Sequence, residues 1–513
     1  MRTSKTFVLV VGTPAFVAAQ CPDYLDYAKE VHGPLSSGKY KLAYQRPALE
    51  CRTFKISGVE TRIKQMESII KDPDLYRLFQ NAYPNTLDTA IKWKGYSANN
   101  AAEELTFIIT GDINAMWLRD SANQMQSYLP LLNASNDPNS IASLYRGVIN
   151  LQARYLLTSP YCNSFQAPIE SKITPAPNPS ASNDAVFPKY SNSSVFECKY
   201  ELDSLAAFLE VSANYYNATG DAAFFGRFSW VRAVENILKV AEDMMTPTYG
   251  SNGMVLQSPY TFTRETTRST ETLANDGIGN PTANGTGLIR SAFRPSDDST
   301  IFQFFIPANM MFSAYLSSTA IIMSKLNTTS STPLAQRMTS LSASLRSAIE
   351  AHGTVTHPTY GKIYAFEIDG FGAQTIMDDA NIPSLLSAPF LGYPVSEEIY
   401  QNTRDLALSA TNPYFMRGPV INAVGGPHQG PGFAWPMASI VRILTTNDEK
   451  EIVAELGQIL GSTAGLGLIH ESVNSWNESD WTRQWFSWAN GLFGQMILDL
   501  AERKPELLAT SFQ

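Results

Sequence analysis

The chain has 513 residues, 44% hydrophobic and 11% aromatic, enough to bury one large core or two intimately packed ones. Its formal net charge of −9 argues against a nucleic-acid partner, and nothing in it is basic enough to hold an anionic membrane. Only 17% of residues are charged, beside many Ser, Thr and Asn, a composition common among secreted proteins.

At the N-terminus, Arg2 and Lys5 precede a mostly apolar stretch at 7–19 that ends in Val17-Ala18-Ala19. This predicts a signal peptide over 1–19, a mature chain of 20–513 and a secreted product, extracellular or in the lumen of the secretory pathway. The stretch is too short to span a bilayer comfortably, so no membrane association is expected after cleavage. The later apolar run at 308–323 is interrupted by Asn309 and several Ser, which predicts a buried helix. Six Asn-x-Ser/Thr sequons begin at Asn133, Asn192, Asn217, Asn284, Asn327 and Asn477. In an oxidising compartment Cys21, Cys51, Cys162 and Cys198 allow two bridges in three connectivities, pairing of sequence neighbours being the preferred one. No Cys-x-x-Cys spacing suggests a metal.

Apolar periodicity predicts helices at 59–82, 119–133, 139–157, 200–217, 221–245, 301–326, 333–351, 380–389, 396–411, 432–446, 447–463 and 483–504. Strand-like pieces fall at 105–109, 254–262 and 362–371, and Pro- and Ser-rich stretches at 174–194 and 269–287 predict long loops. The prediction is therefore an all-α fold with short strands in the loops. About twelve helices suit a toroid of six helical hairpins, with an irregular helical bundle as the alternative. In a toroid, the loops at one end form a funnel where polar motifs meet.

The familiar nucleotide, zinc-protease and serine-hydrolase signatures are missing. Gly33-Pro34-Leu35-Ser36-Ser37-Gly38-Lys39 imitates a phosphate loop, but Tyr40 stands where magnesium needs a Ser or Thr. What remains is carboxylate chemistry in four clusters. Asp112, Trp117, Arg119 and Asp120 crowd nine positions, where charges can bind hydroxyls and an indole can cover a sugar face. Tyr200-Glu201-Leu202-Asp203-Ser204 opens a helix. Arg290, Arg294, Asp297 and Asp298 form a third group. His470-Glu471-Ser472 precedes Trp476, Trp481, Trp485 and Trp488.

Glycoside cleavage needs one carboxyl kept protonated and another ionised. Asp203, among Tyr200, Leu202 and Leu205, suits the first role, and Glu471, in a turn that water reaches, suits the second. Each residue has a plainer reading as well. Asp203 with Ser204 can cap a helix, Glu471 can be a solvated loop acid, and the Trp cluster can be core. Asp297-Asp298 and Asp378-Asp379 can mark helix starts, and His428 suits a polar contact better than a metal.

The run Thr110-Gly111-Asp112-Ile113, Ala115-Met116-Trp117-Leu118-Arg119-Asp120-Ser121 resembles the signature of glycoside hydrolase family 125, exo-acting α-1,6-mannosidases. Further similarities are Tyr200-Glu201 with Asp203-Ser204, Phe293-Arg294-Pro295-Ser296-Asp297-Asp298, and the stretch from Met377-Asp378-Asp379 to Leu386. Trp435-Pro436-Met437, His470-Glu471-Ser472, and Phe486 with Trp488-Ala489-Asn490 complete a set in family order from about 60 to 502. The resemblance implies an (α/α)6 barrel as a single catalytic domain and hydrolysis with inversion, without metal or other cofactor. It implies Asp203 as general acid and Glu471 as general base, their carboxyls roughly 6.5–9.5 Å apart to admit a water. Asp112, Trp117, Arg119, Asp120, Arg294, Asp297, His428 and His470 are the expected contacts to the sugar. The implied partner is a mannose-containing oligosaccharide, a mannan or an N-glycan, and a monomer is expected. Val473 and Asn474 follow Glu471-Ser472 where relatives are expected to carry an aromatic, which bears on the adjacent subsite.

Three competing readings make different predictions. A metal-dependent α-mannosidase of other linkage preference loses activity to chelator. A non-catalytic glycan-binding protein on the same scaffold lacks one of the two carboxylates. A polysaccharide lyase requires a proton-abstracting Tyr, His or Arg and an acidic-sugar site.

Overall fold

The computed structural model describes residues 21–513, and the predicted leader at 1–19 lies outside them. Fourteen α-helices occur among the described residues. In chain order they are α1 (Tyr24–Tyr27), α2 (Ser57–Ile69), α3 (Pro73–Ala82), α4 (Leu118–Gln126), α5 (Ile141–Thr158), α6 (Leu202–Thr219) and α7 (Ala222–Phe225). Then follow α8 (Trp230–Asp243), α9 (Ile306–Lys325), α10 (Ser331–His352), α11 (Glu397–Ala407), α12 (Pro436–Leu444), α13 (Glu449–Gly461) and α14 (Ser487–Arg503).

Most of the expected helices are present, and local chemistry sets their ends. Gly220, at φ 68°, ends α6 in the left-handed conformation that a Cβ would resist. Two expected helices are each split. Asp72 accepts from the amides of Asp74 and Leu75, and Pro73 starts α3, so the run at 59–82 becomes α2 and α3. The run at 221–245 becomes α7 and α8 around a break at Gly226. The expected helix at 380–389 does not form. The Asp378 carboxylate instead accepts from the amides of Leu385 and Leu386, holding a series of buried turns.

The strands are short. Ile91–Ser97, which periodicity did not mark, pairs antiparallel with Asn100–Ile108, the element expected at 105–109. The stretch at 254–262 contributes only the start of Thr261–Thr263, and 362–371 divides into Gly361–Tyr364 and Glu367–Ile368 in different sheets.

Helices α4, α6, α9, α12 and α14 are buried nearly all round, as inner elements are, whereas α2 and α10 expose a face. α4 packs against both α6 and α14, α6 against α9, and α14 against α12. A second layer packs on this arc: α5 on α6, α10 on α9, α13 on α12 and α3 on α14. The buried turns at 377–388 fall in the chain between α10 and α11. Two-residue strands immediately precede α4 (Met116–Trp117), α9 (Phe304–Phe305) and α12 (Phe433–Ala434). The cysteines pair as sequence neighbours, Cys21 with Cys51 and Cys162 with Cys198. Such bridges are compatible with a secreted protein. All six sequon asparagines are exposed. Helix α9 is long and apolar enough to cross a membrane, but 72% of its most apolar 18-residue stretch is buried in the protein.

Between α6 and α9 the Glu210 carboxyl accepts from the Tyr315 hydroxyl (3.0 Å), and burial pushes its pKa up to about 7. A carboxyl raised from the free value of about 4.3 stabilises the fold fully below that value and ceases to do so as pH rises through 7. The melting temperature of Glu210→Gln is therefore expected to fall less than that of the native chain between pH 4.5 and about 7.5. Parallel pH dependences in a thermal scan would remove this assignment.

Candidate active site

A cleft of about 640 Å³ is lined by segments hundreds of residues apart, including Asp112, Asp297 and Glu471. Its volume lies within the ordinary range for small-molecule sites. The N-terminal turns of α4 and α14 supply Arg119, Asp120 and Trp488 to its wall, and the segments around 112, 178, 197, 297, 428 and 471 supply much of the rest. Trp435 Nε1 and Trp488 Nε1, both on the wall, are buried donors with no partner. Buried polar groups are normally satisfied, so unpaired indole N–H groups on a cleft wall point to a ligand rich in acceptors.

Glu471 sits on the wall with its carboxylate held from two sides. Arg483 Nη1 donates to Oε1 (3.1 Å) and the Thr482 hydroxyl donates to Oε2 (3.0 Å). The Arg483 guanidinium also binds Asp112 through Nη2 (2.6 Å) and Nε (2.9 Å). Arg483 has φ 46°, an unusual left-handed backbone for a long side chain, as is found where geometry serves a site. Asp112 is placed by Gly111, whose φ is 126° and whose Cβ, if present, would lie 2.5 Å from the Trp485 carbonyl oxygen. Gly111→Ala is therefore expected to displace Asp112 and Arg483 together and to lower activity with the core intact, measurable as a kcat loss at unchanged circular dichroism.

Beneath the Arg119 guanidinium lies a cluster of acids. Arg119 Nη1 donates to Glu201 Oε2 (2.6 Å) and Asp203 Oδ2 (2.9 Å), and Nη2 lies 3.5 Å from Asp120. Asn163 Nδ2 donates to both Glu201 Oε1 (3.1 Å) and Asp297 Oδ1 (2.8 Å). Burial drives the pKa of Glu201 far up, with Arg119 opposing. Burial also raises Asp203, against the pull of Arg119. Burial opposes the charge on Asp297, but Lys199, Arg119, a hydrogen bond with Glu201 and His428 together hold its pKa below the ordinary value. For Asp120, burial prevails over Arg119 and the pKa reaches about 6. The cluster thus divides between acids shifted up and one shifted down, the separation acid–base chemistry needs.

The predicted residues separate into two sets. Asp112, Trp117, Arg119, Asp120, Asp297, His428 and Glu471 all line the cleft. The plainer readings of Asp297 as a helix-start marker and of Glu471 as a solvated loop acid fail, since Glu471 is only 5% exposed. Trp117 Nε1 donates to Asp297 Oδ1 (3.2 Å). His428 lies 3.5 Å from the Asp298 carboxylate. Burial disfavours its charged ring, but Asp298 and the neighbouring acids raise its pKa to about 9.

Asp203, Arg294 and His470 do not reach the wall. Asp203 is fully buried beneath Arg119, and its Oδ1 has no partner. Arg294 turns away to Glu367 (2.6 Å), whose other oxygen accepts from the amides of Ile301 and Phe302. It therefore fixes the loop that carries Asp297 and does not touch the cleft. His470 is stacked flat on Trp481 at 4.3 Å, and burial lowers its pKa to about 4, so it is a neutral packing residue.

Several wall residues were not singled out from sequence. Arg483 read as the start of a helix, although its place between Glu471 and the Trp cluster was a signal. Behind the wall, Glu201 is paired with Arg119, and the sequence marks it only as a neighbour of Asp203. Of the Trp cluster, Trp476 is 73% exposed, Trp485 and Trp488 are buried, and Trp488 faces the cleft. The loop at 174–194 reaches the cleft through residues 176–180, whereas no residue of 269–287 does. Among the described residues no group of three or more His, Cys, Asp or Glu side chains is placed to hold a metal ion.

A family model described as metal-independent α-mannosidase, glycoside hydrolase family 125, matches residues 72–498. The chain is 45% identical over 491 residues to the meiotically up-regulated gene 157 protein of Schizosaccharomyces pombe, covering 95% of this chain and 94% of that one. Among solved structures it is similar to a Streptococcus pneumoniae protein from a study of metal-independent α-mannosidases, captured in a non-productive complex with α-1,6-mannobiose. The two are 33% identical, the match covers 87% of this chain and 99% of that chain, and the TM-score is 0.75.

Proposed function

The chain belongs to glycoside hydrolase family 125, and from that premise we propose that it is an exo-acting, inverting, metal-independent α-1,6-mannosidase. Its substrate is the non-reducing terminal mannose of a mannan or N-glycan. Five inner helices, residues 377–388 in the place of a sixth, and the outer helices packed on them make a single (α/α)6 catalytic domain. The observation that carries the reading is the cleft itself. Carboxylates, a guanidinium and unpaired indole donors from distant segments converge on a volume fit for a sugar.

In the proposed mechanism the terminal mannose enters the cleft against Trp488 and Trp435. Burial raises the pKa of Asp203, which favours its protonated form, and its unpartnered Oδ1 is free to pass a proton to the glycosidic oxygen. Catalytic hydrogen bonds often close only when substrate is bound, which suits an acid lying just beneath the wall. Glu471, steadied by Arg483 and Thr482, takes a proton from a water attacking the anomeric carbon from the other ring face. The C1–O bond breaks as the new C1–O bond forms, releasing β-mannose. One observation favours a second reading for the acid. Asp120 lines the cleft and has a pKa of about 6, so it can donate the proton directly.

Proton NMR of the first product from α-1,6-mannobiose tests the proposal. Early β-mannose, unaffected by EDTA, is the expected result. Early α-mannose, or activity lost on chelation, would overturn it. Comparing Asp203→Asn with Asp120→Asn then distinguishes the two acids: the true donor loses the alkaline limb of the pH profile, and the other retains it.

A further inference from the structure

A second cavity, of about 480 Å³, adjoins the catalytic cleft and shares Asp112 and Asn114 with it. Its outer wall is the N-terminal segment, including Cys21, Tyr24, Tyr27 and Cys51, and its floor includes Lys92 and Trp485. This wall precedes residue 72, where the match to the family model begins. The Cys21–Cys51 bridge holds the segment in place. Tyr24 packs edge-on against Trp485 (4.6 Å) and donates its hydroxyl to the Gln45 carbonyl (2.8 Å), so the aromatic wall is fixed. Lys92 is exposed, and a third cavity of about 310 Å³ also meets it at Asn114.

We propose that the second cavity is an accessory subsite for mannosyl residues beyond the first on the leaving-group side of the scissile bond, an inference that rests on the mannosidase reading. The catalytic cleft narrows onto buried groups at Arg119 and Trp488, whereas Asn114 on the shared rim is exposed. An oligosaccharide whose terminal unit is buried has to leave across such a rim. Beyond it lies a wall of the kind a pyranose uses: aromatic rings for its apolar face, and an ammonium with threonine hydroxyls for its polar edge. The chain thus reads the length of its substrate with a segment outside the span that carries the chemistry.

The test is a chain-length series, α-1,6-mannobiose to mannotetraose, for the native chain, Lys92→Ala, Tyr27→Ala, and a Cys21→Ser, Cys51→Ser pair. The native chain is expected to gain about tenfold in kcat/KM from biose to tetraose, mainly in KM. Each variant is expected to lose most of that gain while hydrolysing biose at the native rate. A native series with no length dependence, or variants that keep the gain, would overturn the subsite. Calorimetric titration of Glu471→Gln with biose and tetraose separates the two readings. Tighter binding of tetraose, lost in Glu471→Gln combined with Lys92→Ala, supports the subsite even if no hydrolysis is seen, which would strike only the mannosidase reading. Equal binding of both sugars would sink the subsite alone.

Discussion

Glu471→Gln is expected to lower kcat by about 10²–10⁴-fold, the usual worth of a positioned general base, with little change in KM or folding. The amide keeps the shape: its oxygen can still accept from Arg483, and its NH2 can donate to the Thr482 hydroxyl in place of the 3.0 Å contact, while the proton acceptor is lost. Asp203→Asn is expected to produce a loss of similar size but a different pH signature. Burial raises the pKa of Asp203, and activity in the native chain is expected to fall as pH rises and the donor proton leaves. The asparagine has no such proton, so the alkaline limb should flatten. A substrate with a good leaving group, needing no acid assistance, should recover much of the Asp203→Asn loss and none of the Glu471→Gln loss. Native turnover by either variant would move the chemistry to other residues.

Arg119→Met is expected to have the largest effect on stability, about 3–5 kcal/mol, the cost of stripping one partner from a buried ion cluster. The guanidinium is 3% exposed and is the cation bound by both Glu201 and Asp203, with Asp120 close by. Without it, three buried carboxyls must either protonate or remain charged without compensation. Acids whose pKa is raised in the folded state stabilise it at low pH and lose that contribution as pH rises, so the variant should suffer more at pH 8 than at pH 5. Denaturant midpoints at the two pH values measure this. Equal losses would mean that Arg119 acts through packing on Trp488, whose ring lies 5.7 Å away, and not through charge.

Much of the site was legible along the chain because sugar chemistry leaves dense local clusters. Trp117, Arg119 and Asp120 are adjacent, and they reach the cleft together because a two-residue strand feeds the first turn of α4. Arg294 and His470 misled because a motif residue can serve by holding its neighbours. Arg294 anchors the loop of Asp297 through Glu367, and His470 fills space against Trp481. Arg483 was missed because its partner Asp112 stands 371 positions away, and no local pattern records such a pair. The missing helix at 380–389 has a similar cause: the periodicity was apolar enough, but the Asp378 side chain captured the amides a helix would have used.

From the sequence alone came the helical class, the neighbour pairing preferred for the cysteines, the family and the carboxylates worth testing, since composition, periodicity and ordered motifs are properties of the chain in one dimension. Only the folded structure decided which acids share a cation and which of them burial shifts upward. Desolvation and charge pairing depend on distances across the fold, and these do not exist until remote segments pack together.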